Sequence, residues 1–133
     1  MGVAYFPEFE RQVTGFDPSA AVCGKSLARA IKRLDEICKH LGTAPLFIFY
    51  SESNEEAFKT IGKPVPPGLQ DNPIHWSEPE QGLQTIVSLI KYLHDHPAEL
   101  PDAPSILEDL ESLRQVLLKA QEHRTRFRLR IDI

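Results

Sequence analysis

Arg126-Phe127-Arg128-Leu129-Arg130-Ile131-Asp132-Ile133 closes the chain with an apolar residue at every second position and a charged one between. Strand side chains point alternately to opposite faces, so this period of two predicts a half-buried β-strand over 126–133. Its arginines would stand on one side at intervals of about 6.6 Å. Two other stretches could pair with it. Residues 3–9, Val-Ala-Tyr-Phe-Pro-Glu-Phe, are rich in β-formers, with Pro7 arguing for an edge or a strand end. Leu46-Phe47-Ile48-Phe49-Tyr50 is a continuous apolar run after Pro45, as expected of a central strand covered on both faces.

The intervening sequence reads as helices. Leu27, Ile31, Leu34, Cys38 and Leu41 recur on one helical face over 26–41, and Gly42 supplies the stop. The pairs Ser53/Glu56, Ser77/Glu80 and Ser105/Glu108 have the form of capping boxes and mark three further helix starts. The helix over 78–95 is apolar around much of its circumference, through Leu83, Ile86, Val87, Leu89, Ile90 and Leu93. The helix over 105–123 carries Ile106, Leu110, Leu113, Leu117 and Ala120 in a coiled-coil-like seam, with Leu107 and Leu118 off it. Five of the eleven prolines fall in 62–79, which must therefore be a loop or an arm. The expectation is one α+β (or α/β) domain over 1–133. It would hold a small three-stranded mixed sheet and about four helices in the order β-α-β-α-α-α-β.

Composition narrows the function. The apolar fraction of 41% and the charged fraction of 26% are those of a globular domain that folds on its own. No run approaches the length of a membrane span, and the opening residues lack the pattern of a signal peptide, so a cytoplasmic protein is expected. Cys23 and Cys38 lack the spacing of a redox motif or zinc half-site. The net charge of −4 conceals an acidic middle: residues 52–111 carry twelve acids against Lys59, Lys63 and Lys91. A sequence pI of 5.7 argues against nucleic acid as partner, and Arg126, Arg128 and Arg130 read better as solvated or as facing acids such as Glu8 and Glu10.

The motifs that could carry chemistry are sparse. Gly24-Lys25-Ser26 has the end of a phosphate-binding loop but lacks its first glycine, Ser19 standing there. His94-Asp95-His96 offers two imidazoles without further ligands at recognisable spacing, so no metal and no cofactor is implied. The least ordinary cluster is Tyr50-Ser51-Glu52-Ser53-Asn54 after the expected central strand. His75 and Trp76 could complete a ligand pocket there, with Tyr50, Ser51, Glu52 and Asn54 as its other candidate residues. The competing reading is that 51–54 cap a helix and Trp76 folds onto the core. No catalytic residue stands out. The favoured function is a small non-enzymatic regulatory or protein-interaction domain, immunity-like in one form, because an acidic surface can steer basic partners. The alternative is a small-molecule-binding domain or weakly marked enzyme using the pocket after Tyr50. A homodimer through Leu107 and Leu118 is expected, unless those leucines are core.

Overall fold

The computed structural model describes residues 3–133; Met1 and Gly2, and with them part of the opening segment, lie outside the described residues. The architecture is α+β. The elements are β1 (Ala4–Phe9), α1 (Lys25–Leu41), α2 (Asn54–Thr60), α3 (Pro79–Asp95), α4 (Ala103–Glu122) and β2 (Phe127–Asp132). Short 3-10 turns cover Pro18–Ala20 and Leu46–Phe49. Among the described residues no helix is long and apolar enough to cross a membrane.

The terminal strand forms as its alternation requires, and it pairs antiparallel with β1 in the register Phe6↔Arg130, Glu8↔Arg128 and Phe9↔Phe127. The expected third strand does not form at 46–50, so among the described residues the sheet has two strands and is antiparallel, not mixed. Residues 46–49 curl into the 3-10 turn instead. Leu46 and Phe49, three apart, are both buried at 1% exposure, while Phe47 between them is 61% exposed. That is the three-residue period of a 3-10 turn, which a four-residue apolar run also fits. The buried side is fixed by the backbone N–H of Leu46, which donates to Asp35 Oδ1 of α1 at 2.7 Å.

What remains of the third strand is a pair of single-residue contacts along the free edge of β2. Ser51 N donates to Leu129 O at 3.1 Å, and Ser77 and Phe127 exchange backbone hydrogen bonds of 2.8 and 3.0 Å. These contacts bring segments 50–54 and 75–77 onto one strand.

Of the three capping boxes, Ser53/Glu56 forms with both hydrogen bonds. The other two do not. Helix α3 starts at Pro79 and leaves Ser77 to pair with β2, while α4 starts at Ala103 and carries Ser105 inside its first turn. Proline near each start, Pro79 and Pro104, sets the boundary in place of a serine hydroxyl.

Helix α1 starts on Gly24, which has no side chain to cap with. The cap comes from another helix: Asp109 of α4, 5% exposed, accepts from Leu27 N at 3.2 Å. Asp109→Ala should cost about 2 kcal/mol, because a buried amide loses its acceptor, and Asp109→Asn should cost much less. Urea unfolding of both variants checks this.

The core lies between α1, α3, α4 and the covered face of the sheet. The α4 seam residues Ile106, Leu110, Leu113, Leu117 and Ala120 are all buried, and Phe49 packs against Phe127 with ring centroids 5.4 Å apart. Cys38 lies in this core, where burial and then the charge of Asp35 push its thiol up to about 12. It is unreactive there.

Candidate functional site

The second face of β2 carries Arg128 and Arg130, which face acids, whereas Arg126 just before the strand stays 46% exposed. Arg128 has a side chain only 3% exposed. Its guanidinium donates to both carboxylate oxygens of Glu56 at 2.7 and 2.8 Å, to Glu8 Oε1 at 2.6 Å and to Ser51 O at 3.1 Å. Arg130 reaches Glu8 at 3.2 Å, Glu52 at 3.3 Å and Glu56 at 3.4 Å. The indole of Trp76 lies 5.1 Å from the Arg128 guanidinium, and the Phe6 ring lies 5.6 Å from that of Arg130. Arg126 pairs with Glu10 further out, at 2.6 Å. Glu8, expected to face an arginine, does so directly across the strand register.

Each carboxylate arrives for a separate reason. Glu8 is placed by β-pairing. Glu56 sits at the third position of α2, where Oε1 accepts from Ser53 N at 3.0 Å while the same carboxylate binds Arg128. Glu52 follows the Ser51 contact with β2 and accepts from Ile131 N at 3.2 Å. The hydrogen bonds from Arg128, assisted by the Ser53 amide and opposed by burial, hold the Glu56 carboxyl down at about 2. Tyr50 is pushed up to about 12, first by burial and then by the charge of Glu52. Three carboxylates surround two guanidiniums, so this cluster carries one net negative charge.

The candidate residues read from the sequence lie beside this cluster, with Ser51 and His75 joined directly and Asn54 held by loop residues. Ser51 Oγ accepts from His75 N at 2.8 Å. Asn54 N donates to Asn72 Oδ1 at 2.7 Å, Asn54 Nδ2 donates to Gln70 O at 2.7 Å, and Asn72 Nδ2 donates to Glu52 O at 3.1 Å. Glu52 is buried, Tyr50 and Trp76 are half-buried, and the His75 residue is exposed. The residues that sequence reasoning missed are Glu56 and Asn72. Glu56 reads from the sequence as half of a capping box and as a solvated neighbour of Glu52 on a surface helix, which its pairing with Arg128 corrects, and Asn72 lies in a loop without periodicity.

The other motifs fall elsewhere. Gly24 has a φ of 76° and lies against the backbone of Tyr5, so its role is close approach to β1. The His96 ring stacks on Tyr92 at 4.3 Å, and no group of three or more possible metal-binding side chains occurs among the described residues. Leu107 is half-buried against the core, whereas Leu118 is 37% exposed beside Phe16 and Val116. No protein-family model, no curated protein and no solved structure matches this chain.

Proposed function

We infer that the protein is a small non-enzymatic interaction domain that presents the proline-rich loop between α2 and α3 to a protein partner. The observation that carries this reading is the exposure of thirteen consecutive residues, 61–73. Connections this long without secondary structure are uncommon in compact domains unless they have a function or are disordered. This one is held in shape. Leu69 N donates to Pro66 O at 3.2 Å across a turn with Pro67 second and Gly68, at φ 82°, third, the pattern of a type II turn. Asn72 and Gln70 tie the far end to Asn54 and Glu52. Ile61, Val65 and Leu69 stand in solvent at 50%, 38% and 45% exposure. Apolar side chains on a constrained loop bind with little ordering cost. The ion-paired cluster serves as the base of the loop, with its acids and arginines engaged with each other. The proposed setting is the cytoplasm, which the unpaired Cys23 and Cys38 fit.

Capture from a native lysate, run beside a thermal-shift screen with a metabolite library, tests the reading. A protein partner retained by the chain is the expected result. A melting shift of several degrees with one metabolite and no partner would favour the second reading, a small-molecule site at Tyr50, Ser51, Glu52, Asn54, His75 and Trp76. The contacts of the Ser51 carbonyl and the Trp76 ring with Arg128, and of Ser51 Oγ with His75 N, are what support it. We also propose a homodimer through the α4 surface at Leu118, with Leu107 as a lesser contributor. Light scattering should then give a mass above 15.1 kDa at tens of micromolar, and a mass that stays at that value would exclude the dimer.

A further inference from the structure

Residues 12–19 fold beside β1 and line with it an open cleft of about 840 Å³. Its walls include three aromatic rings, Phe6, Phe9 and Phe16, and two carboxylates, Glu8 and Asp17, with no lysine or arginine among the lining residues. The wall is built. Phe16 stacks on Phe9 with centroids 5.9 Å apart, Phe16 N donates to Val13 O at 3.1 Å, and Gly15 turns the chain at φ 77°. Asp17 Oδ1 is engaged by Ser19 N at 3.1 Å and Ser19 Oγ at 2.7 Å, yet among the described residues Asp17 makes no ion pair. Glu8 belongs to the cluster of three carboxylates and two guanidiniums. It is the most exposed of those acids, at 36% against 25% for Glu56 and 2% for Glu52. Glu8 is paired with both Arg128 and Arg130, so among the described residues the unpaired carboxylate of this cleft is Asp17, with Glu8 at its rim as the most exposed member of a cluster that holds one more acid than arginine.

The two outer rings already attract cations from the chain itself. Arg130 lies over Phe6 at 5.6 Å, and Lys119 lies over Phe16 at 5.8 Å. Arg130 and Lys119 line neighbouring clefts and not this one. The geometry points to this cleft as the receptor for an arginine side chain presented by a polypeptide partner. Its guanidinium would stack on a phenylalanine wall and donate to Glu8 and Asp17. A planar, weakly hydrated guanidinium suits aromatic walls with carboxylates at the rim better than the compact, strongly hydrated ammonium of lysine. The inference rests on the chain being a protein-binding module but not on the proline-rich loop. Lysate capture and the titration below can therefore fail separately.

The test is an NMR titration of the isotope-labelled protein with the capped peptide acetyl-Gly-Arg-Gly-amide and its neutral citrulline isostere. The arginine peptide should shift the amide signals of Thr14, Gly15 and Phe16 saturably, with at least about tenfold tighter binding than the citrulline peptide. Asp17→Asn keeps an oxygen for the Ser19 cap, so it should retain the native spectrum and weaken binding about threefold. Glu8→Gln should weaken binding further, and Phe16→Leu should do so without altering net charge. Equal binding of the arginine and citrulline peptides, or no change in Asp17→Asn and Phe16→Leu, would overturn the proposal. Tighter binding of agmatine than of the peptide would also overturn it, by assigning the cleft to a free organic cation.

Discussion

Gly24→Ala should abolish cooperative folding. A Cβ at this position would lie 1.8 Å from the Tyr5 carbonyl oxygen and 2.8 Å from its carbon, and a backbone atom cannot swing aside as a side-chain tip can. The position also has φ 76°, where an L side chain is strained. The two segments are hydrogen-bonded, Tyr5 N to Gly24 O at 3.1 Å, so relieving the clash means separating β1 from the start of α1. That would also disturb the Glu8 and Phe9 contacts further along β1. The expected cost is about 4 kcal/mol or more, among the largest for a single substitution. Gly42→Ala provides the comparison. It has nearly the same φ, 72°, but nothing within 4 Å of its Cβ, so it should cost only about 1 kcal/mol of left-handed strain. Thermal and urea unfolding of the two variants separate steric exclusion from strain.

Arg128→Met should have the second largest effect, about 4 kcal/mol, because it leaves the half-buried Glu56 and Glu8 carboxylates with only the longer contacts to Arg130, at 3.4 and 3.2 Å, as compensation. Arg128→Lys should recover little, since one ammonium cannot span Glu8, both oxygens of Glu56 and the Ser51 carbonyl together. Removing both members, Arg128→Met with Glu56→Leu, should be milder than Arg128→Met alone, because it removes the stranded charge. The pair also sets an acid dependence. Glu56 is held at about 2 from an ordinary 4.5, so its contribution is complete above about pH 4.5 and is lost as pH falls towards 2. In Arg128→Met that acid-side loss should shrink. Denaturant midpoints measured between pH 2 and 7 would show both effects.

Periodicity carried a large part of the fold. The alternation at 127–132 and the helical spacing at 27–41 and 106–120 each survive in the structure, because each runs long enough to distinguish one period from another. The run at 46–50 was too short for that. Residues 46 and 49 face inward together, a pattern that neither burial nor β-propensity in the sequence distinguishes from a covered strand. The site was legible in pieces. Glu8 opposite the arginines followed from strand pairing, whereas Ser51 and His75 are joined around single-residue contacts with β2 and not beyond a parallel strand end. The aromatic cleft of 6–19 gave no sign, because its rings come from a strand and an irregular loop that share no period.

The central claim, that the loop between α2 and α3 is the binding element, is tested most directly by replacing residues 63–69 with glycine and serine of equal length. Asn72 and Asn54, which secure the end of the loop, remain in place, so the melting temperature should stay close to that of the natural chain. A partner captured from lysate by the natural chain should be lost by the replaced one. Retention of the same partner, at the same yield and with the same melting temperature, would contradict the assignment of the loop.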